Sequence, residues 1–168
     1  MLVRLFASGG DGEGCANMGF VHTNGLGVPR DLAHAAESYR QGCDLGSLRS
    51  CALLGAAYEK GEGLPADEHR AVEIYRTACD AGGWMGCDHL SMLYFRGGGV
   101  LEKNEPRGME LLARSCKLGS HSSCFILGMR LLRRTGAPKD EALGREILQQ
   151  ACIAGEKNAC NMLAGSAP

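Results

Sequence analysis

Residues 51–79 read CALLGAAYEKGEGLPADEHRAVEIYRTAC, and three other stretches of the chain follow the same pattern from cysteine to cysteine. These related stretches span residues 15–43, 87–116 and 124–152. Eight of the nine cysteines thereby form four pairs with eight-residue spacing, and successive pairs begin 36, 37 and 36 residues apart. The pairs are Cys43 and Cys51, Cys79 and Cys87, Cys116 and Cys124, and Cys152 and Cys160. A period of this length indicates an array of repeats, each resting on its neighbours.

Each repeat predicts two helices. The first follows the cysteine, where apolar side chains recur at helical spacing. Glycines close this helix and prolines prevent its continuation, at Gly25, Gly61, Gly97 and Gly136 and at Pro29, Pro65 and Pro138. The second helix begins after a predicted N-cap, at Asp31, Asp67, Asn104 or Asp140, and ends at the next cysteine. A small residue four positions after the cysteine predicts close approach of the two helices, at Gly19, Gly55, Ser91 and Gly128.

Composition agrees with an all-α chain that has a thin core. Hydrophobic residues make up 45% of the chain but aromatic residues only 5%, and the net charge of −1 gives no basic excess for nucleic acid. No apolar run reaches the roughly 18 residues that a membrane span needs. We therefore predict one repeat array over residues 1–168. Its parts are a partial helix at 1–7, repeats at about 15–50, 51–86, 87–123 and 124–159, and a partial repeat at 160–168. We also expect a fragment, a mis-set start or a longer protein that was trimmed.

The paired cysteines favour structural disulfides. The two members of each pair are predicted at the adjoining ends of two antiparallel helices, which is compatible with the short Cα–Cα distance of a disulfide. Reduced core thiols and metal ligands are the alternatives, although structural zinc sites usually place cysteines two to four residues apart. The odd cysteine, Cys15, has Ala7 in its partner position. We expect Cys15 to stay reduced and half-buried, the alternative being a cross-link between two chains.

The repeats resemble the Sel1-like repeat, a relative of the tetratricopeptide repeat, and the cysteine pairs are similar to those of the Helicobacter cysteine-rich type. The resemblance implies a right-handed α/α superhelix stapled by disulfides, with a concave face that holds proteins or peptides. Repeat four departs from the pattern at Leu131, where a tyrosine is expected. The residues that carry the resemblance are Leu54, Gly55 and Tyr58, the loop GEGLPAD at 61–67, and Ala71, Tyr75 and Ala78.

Some cysteine-rich relatives of this type are labelled penicillin-binding proteins or β-lactamases. A serine acyl-enzyme typically needs Ser-x-x-Lys with partner motifs. The chain has no such motif, since Ser115 and Lys117 are two residues apart. We therefore predict a non-catalytic scaffold without catalytic residues, cofactor or metal. The alternatives are a hydrolase of the labelled kind and an assembly factor of the mitochondrial intermembrane space, which the repeats also resemble.

A candidate groove follows from the resemblance, because in such arrays the first helices line the concave face. Positions two, six and nine after the cysteine should share that face. Position nine reads Asn24, Lys60, Arg96 and Arg133, which is a row of cations able to bind carboxylates. The alternative is that helix C-termini favour cations through the helix dipole. The predicted groove residues are Asn17, Asn24, Lys60, His89, Arg96, Arg130 and Arg133.

Two further motifs have unremarkable interpretations. We read His89 as a partly buried polar residue instead of a metal ligand. The stretch GGDGEG at 9–14 is interpreted as a turn between helices, not as a phosphate-binding loop.

The predicted partner is a protein or peptide, including one that bears carboxylates, with no nucleic acid and no membrane span. The open terminal repeats also allow edge-to-edge self-association. Disulfides indicate an oxidising compartment, periplasmic or secreted, with the mitochondrial intermembrane space as the alternative. The opening MLVRLFASGG has no apolar stretch long enough for a signal peptide, so we expect none in this sequence.

Overall fold

In the computed structural model the structure describes residues 11–133 and 140–165. Over these residues the chain forms helices only, with no strand, which confirms the all-α prediction. The helices are α1 (Gly12–Asn24), α2 (Leu32–Asp44), α3 (Leu48–Lys60), α4 (Glu68–Asp80), α5 (Trp84–Arg96), α6 (Glu105–Lys117), α7 (His121–Arg133), α8 (Glu141–Ile153) and α9 (Lys157–Gly165). In the same residues no helix is both long and apolar enough to cross a bilayer.

The odd-numbered helices are the first helices of the repeats, and their predicted starts are wrong by three residues. Helix α3 begins at Leu48, so Cys51 lies in its first turn. The cause is Ser47, whose side chain accepts a hydrogen bond from the backbone N–H of Ser50 and so caps the helix earlier. The connector between α2 and α3 is therefore only residues 45–47.

The stretch at 9–14 is likewise not a turn throughout. Gly12 to Gly14 form the start of α1, and Asp11 caps it by accepting from the Glu13 N–H at 3.0 Å. The turn interpretation is wrong for these residues because an aspartate directly before them starts the helix. Residues 9–10, the predicted helix at 1–7 and Ala7 lie outside the described residues.

The second helices begin where the caps predict. Asp31, Asp67, Asn104 and Asp140 each accept a hydrogen bond from the backbone N–H three residues on, at 2.9–3.0 Å. The loop glycines close the first helices as predicted, since Gly25 and Gly61 adopt left-handed backbone with φ of 67° and 70°. Gly136 and Pro138 lie outside the described residues.

The small residues bring the two helices of a repeat together. In repeat two a Cβ on Gly55 would lie 2.6 Å from the ring of Tyr75, a side chain with no exposed surface. Gly19 and Tyr39 are in the same relation in repeat one. In repeat three the glycine and the ring change places between the two helices. Gly108 lies on the second helix, and a Cβ on it would lie 2.6 Å from the ring of Phe95 on the first helix. Such close approach requires glycine at each of these positions.

The chain divides into two compact units, residues 1–86 and 87–168. The core of the first unit includes Ala35, Tyr39 and Leu54. The core of the second has two clusters, one around Leu112 and Leu127 and the other around Leu148 and Ala151. The prediction of a single array over 1–168, with its repeat boundaries, stays a prediction.

Disulfides join adjoining helix ends. The Cα–Cα distances are 4.5 Å for Cys43–Cys51, 4.6 Å for Cys116–Cys124 and 4.8 Å for Cys152–Cys160. Cys79 and Cys87 are also disulfide-bonded. Cys15 is free and half-buried in α1. A fold stapled by disulfides is thereby confirmed.

Candidate functional site

The position-nine residues all occupy one structural position. Asn24, Lys60, Arg96 and Arg133 are the last residues of α1, α3, α5 and α7, and each is exposed. The C-terminal end of a helix carries partial negative charge, which stabilises a cation there. The local position therefore explains these cations without a ligand, while their exposure leaves them accessible to one.

A groove of about 260 Å³ lies between α1, α2 and α3 in the first unit. On α3 it is lined by Leu53, Ala57 and Lys60, which are the position-two, position-six and position-nine residues of that helix. Because side chains three and four apart share a helix face, this is the face that the repeat register predicts. Ala57 is buried and forms part of the floor.

Helix α1 contributes Phe20, Thr23 and Asn24 to the same groove. The Phe20 ring is 47% exposed, which is unusual for a large apolar side chain beside a cavity. The Asn24 amide donates to the Phe20 carbonyl at 2.9 Å. The groove therefore offers an apolar wall with polar groups at its rim.

The inner wall of the groove is the ring of Tyr39. Its hydroxyl shares a 2.9 Å hydrogen bond with the Thr23 hydroxyl. Burial raises the pKa of Tyr39, so the phenol stays neutral well above neutral pH. At the rim, Lys60 and Glu62 place opposite charges on the groove. A ligand here would meet both a cation and a carboxylate.

Of the seven predicted groove residues, Asn24 and Lys60 line this groove and the other five lie elsewhere. Asn17 is on α1, but it accepts a hydrogen bond from Arg49 at 3.0 Å and does not line the groove. Arg130 is half-buried, with its guanidinium 3.6 Å from the centre of the Phe95 ring. His89 is half-buried in α5. Arg130 and His89 belong to the second unit, as do Arg96 and Arg133.

Ser115 is the serine nearest in sequence to a lysine, and so the first candidate for the nucleophile of a serine hydrolase. Ser115 is fully buried, and its hydroxyl shares a 2.9 Å hydrogen bond with that of Ser123. Ser123 is also buried and lies 2.7 Å from an Asp88 carboxylate oxygen. These hydroxyls are closed off from a substrate, so the cluster serves to hold the ends of α5, α6 and α7 together in the second unit.

The part of the chain that the structure describes has no cluster of side chains suited to bind a metal ion. No group of three or more His, Cys, Asp or Glu side chains there is placed to hold an ion. Two histidines, His22 and His34, stack their rings with centres 5.4 Å apart.

Sequence reasoning missed Phe20, Thr23, Tyr39 and Glu62. Phe20 lies four residues before Asn24 and so shares its helix face, but position five is not among the positions two, six and nine that the repeat register predicts. Glu62 lies in the glycine-rich loop, where the repeat pattern predicts a turn and nothing about the groove. The available signal for Tyr39 was Gly19, because a glycine at this position predicts close approach of α2 to α1, and Tyr39 is the side chain that packs there.

The family model described as Sel1 repeat matches residues 12–47, 48–83, 84–120 and 121–156. These boundaries coincide with the starts of α1, α3, α5 and α7. No curated protein matches the chain.

Solved structures show the same fold. A Sel1 repeat protein from Oxalobacter formigenes aligns over 93% of this chain and 64% of its own, with a TM-score of 0.73 and 22% identity. A protective antigen of uropathogenic Escherichia coli with the SLR fold aligns over 94% of this chain and 34% of its own, with a TM-score of 0.71 and 27% identity. The chain thus spans less than two thirds of the length of either.

Helicobacter pylori cysteine rich protein B is similar over 79% of this chain and 95% of its own, with a TM-score of 0.64 and 22% identity. At this identity the likeness concerns the fold. It supports an α/α solenoid of Sel1-like repeats, as the resemblance of the sequence implied.

Proposed function

Because the chain belongs to the Sel1 repeat family, we propose that it is a non-catalytic scaffold that binds a protein or peptide in the groove lined by its first helices. One observation carries the proposal. The two-six-nine face of α3 and the exposed ring of Phe20 line a single groove of about 260 Å³. A concave site with an apolar wall and a few polar groups is the usual form of a binding site for a side chain.

The partner's chemistry follows from the rim. Lys60 offers charge-assisted hydrogen bonds to a carboxylate, and Arg96 and Arg133 repeat the same position on later first helices. The carboxylate of Glu62 at the rim would repel a second negative charge of the partner close to Lys60. The proposed partner is therefore a segment with a carboxylate that binds Lys60 and an apolar side chain that fits beside Phe20.

The test measures binding of a peptide library by fluorescence anisotropy, comparing peptides that bear carboxylates with their amidated counterparts. Replacing Lys60, Arg96 and Arg133 with alanine should weaken the acidic peptides at least about tenfold, which is about 1.4 kcal/mol. Exposed substitutions change the free energy of unfolding by only about 0.5 kcal/mol, so the fold should persist.

The matched control removes three cations from other positions. Arg76, Arg145 and Lys157 are exposed, and none ends a first helix. Their replacement by alanine changes the net charge equally and should leave binding unchanged at moderate salt. If the two triple variants lose affinity for the acidic peptides equally, the loss is due to net charge alone and the groove has no role.

The hydrolase alternative has less support. The hydroxyls of Ser115 and Ser123 are buried, as described above, and no Ser-x-x-Lys motif accompanies them. A nitrocefin assay decides the matter. We expect no turnover above background, and turnover that a single serine variant abolishes would replace the scaffold with an enzyme.

The compartment is also a proposal. Disulfide-bonded cysteines persist where the surroundings are oxidising, which favours the periplasm or secretion, with the mitochondrial intermembrane space as the alternative.

A further inference from the structure

Arg130 is a half-buried cation that lies on an aromatic ring. The central carbon of its guanidinium is 3.6 Å from the centre of the Phe95 ring, so the two groups are in direct contact. Both side chains belong to the second unit, Phe95 near the end of α5 and Arg130 in the last turn of α7. The face of an aromatic ring attracts a cation and fixes the orientation of a guanidinium that stacks on it.

The Phe95 ring is itself held in place from behind. A Cβ on Gly108 of α6 would lie 2.6 Å from it, so the ring fills the space that this glycine leaves. The ring also packs against a buried cluster of four apolar side chains, Met109, Leu112, Leu127 and Leu131. Phe95 is therefore a fixed support, and the guanidinium on it is preorganised.

The Arg130 guanidinium has no acidic partner in the part of the chain that the structure describes. Its Nε is buried and makes no hydrogen bond there. Residues 1–10, 134–139 and 166–168, which the structure does not describe, contain no Asp or Glu, so no acidic side chain can come from them. A charge that is partly removed from water is ordinarily paired. Arg130 thus has the chemistry of a binding group whose counter-ion comes from elsewhere.

Other arginines of the chain show the contrast. Exposed arginines on second helices pair with a carboxylate of their own repeat, where water would solvate them in any case. The pairs are Arg40 with Glu37, Arg70 with Asp67, and Arg107 with Glu110. Arg130 is less exposed than these and lies on a first helix. The missing acid is therefore at the arginine that would gain most from one.

The repeat register places Arg130 and Phe95 on the predicted binding face. Arg130 is at position six after the cysteine of its repeat, as is Ala57 in the floor of the groove of the first unit. Phe95 is at position eight, as is Thr23 of the same groove. The second unit thus has a cation on a ring at the two positions where the first unit has small groove residues.

We propose that Arg130, supported by Phe95, is a carboxylate-binding site of the second unit. The proposal rests on the proposed function, since an acidic side chain of the partner segment is the ligand. A guanidinium matches a carboxylate through two parallel hydrogen bonds. Because Nε is buried, the two terminal nitrogens are the pair that would donate them. A carboxylate carries the single charge that one guanidinium balances, whereas a phosphate brings close to two.

The experiment uses the whole chain with its disulfides intact, with ¹⁵N in the arginine side chains and ¹³C in the phenylalanine rings. The probe is N-acetyl-glutamic acid α-amide, which bears one carboxylate, and N-acetyl-glutaminamide is its neutral comparison. At fixed ionic strength the glutamate probe should shift the Nε–H signal of Arg130 in a saturable way. The neutral probe should bind at least about tenfold more weakly, since it lacks the charge-assisted pair.

Arg145 is the internal reference, because it is an exposed arginine of the second unit on the second helix α8. Its Nε–H signal should respond to the glutamate probe at least about threefold more weakly than that of Arg130, since an exposed cation without a supporting ring is not preorganised. Equal responses would mean that the probe meets any arginine on the surface, and that Arg130 is not a site.

Two variants separate the fork and the ring from the charge, with the Phe95 ring signal as the readout where Arg130 is replaced. Arg130→Lys keeps the charge but loses the two-pronged donor, and should weaken the probe at least about threefold. Phe95→Leu leaves Arg130 in place without its ring and should weaken the probe by a similar factor, read at the Arg130 signal. Arg145→Lys is the matched control and should change nothing. Should Phe95→Leu fail to fold, the wild-type titration and Arg130→Lys decide.

The outcomes that overturn the proposal are an unmoved Arg130 signal, equal affinity for the two probes, or unchanged affinity in Arg130→Lys. Inorganic phosphate that binds Arg130 more tightly than the glutamate probe would assign the site to another class of anion. The proposed function fails separately. If the probe binds Arg130 but no acidic peptide binds the chain, the carboxylate site stands and the scaffold for acidic peptides is wrong. If peptides bind through Lys60 while Arg130 stays unmoved, the reverse holds.

Discussion

Repeat two and repeat four have helices of the same lengths but fill the space between them with different chemistry. In repeat two, the buried ring of Tyr75 packs against Gly55, and its hydroxyl donates to Glu59 at 3.0 Å. In repeat four, Leu148 packs against Gly128, with a Cβ there 2.7 Å from its Cγ, and Leu132 stands in the place of Glu59.

The difference teaches that positions in this repeat change in pairs. A tyrosine with a polar partner becomes a leucine with an aliphatic partner, because a buried hydroxyl without a hydrogen bond is costly. The glycine that admits the side chain is common to both repeats. The outer pair is different again, since Tyr58 and Arg70 are in contact in repeat two, while repeat four has Leu131 and Leu143 at the same positions.

The largest effect should come from the buried side chain of repeat two. Tyr75→Ala should lower the free energy of unfolding by about 3–5 kcal/mol, because it removes a fully buried ring. Leu148→Ala should cost about 2–4 kcal/mol, since the side chain is smaller and has no polar partner. Urea unfolding of the oxidised protein measures both. A larger loss at Leu148 would mean that the second unit's core, and not the ring, dominates stability.

Tyr75→Phe separates the hydrogen bond from the ring. It keeps the packing against Gly55 and removes only the bond to Glu59, so about 1 kcal/mol should be lost. No loss would show that Glu59 is satisfied equally well by solvent.

Removing a disulfide should lower the free energy of unfolding by less than Tyr75→Ala does, and by the same amount in the two repeats. Replacing both members of Cys43–Cys51 or of Cys152–Cys160 with alanine should cost about 2–3 kcal/mol in either case, because the closed loops have the same length. Peptide mapping without reductant should first find the four pairs whose members are eight residues apart. Cys15→Ser is the control and should change neither the map nor the unfolding curve. A dominant long-range pair would contradict the local pattern.

The smallest effect concerns the outer pair of repeat two. A double-mutant cycle on Tyr58 and Arg70 should give a coupling energy of about 0.5–1 kcal/mol, as expected for an exposed cation over a ring. The control cycle pairs Tyr58 with Arg76, an exposed arginine on the same helix as Arg70, and should give no coupling. Coupling in both cycles would indicate a general charge effect instead of a contact.

The sequence predicted what repeats locally. The caps at Asp31 and Asp67 and the closing glycines Gly25 and Gly61 each act within a few residues, so their patterns are visible in one sequence. The helix starts were predicted late because Cys51 marks the register of a disulfide, whereas the helix begins at the cap formed by Ser47.

The candidate sites were harder to predict, because they depend on which faces meet. Lys60 was found from its register, but Phe20 occupies position five after the cysteine, which the two-six-nine rule omits. Leu131 was recognised as a departure from the pattern. Its partner Leu143 was not, since the two positions are shown to belong together by contacts in other repeats, such as the one between Tyr58 and Arg70.

The short span of each disulfide also affects how the protein matures. The two sulfurs of a staple are eight residues apart, so both leave the biosynthetic machinery almost together, before the cysteines of later repeats exist outside it. Since closing a short loop is fast, the nearest thiol is also the native partner, and oxidation can proceed hairpin by hairpin without an isomerase correcting distant pairs.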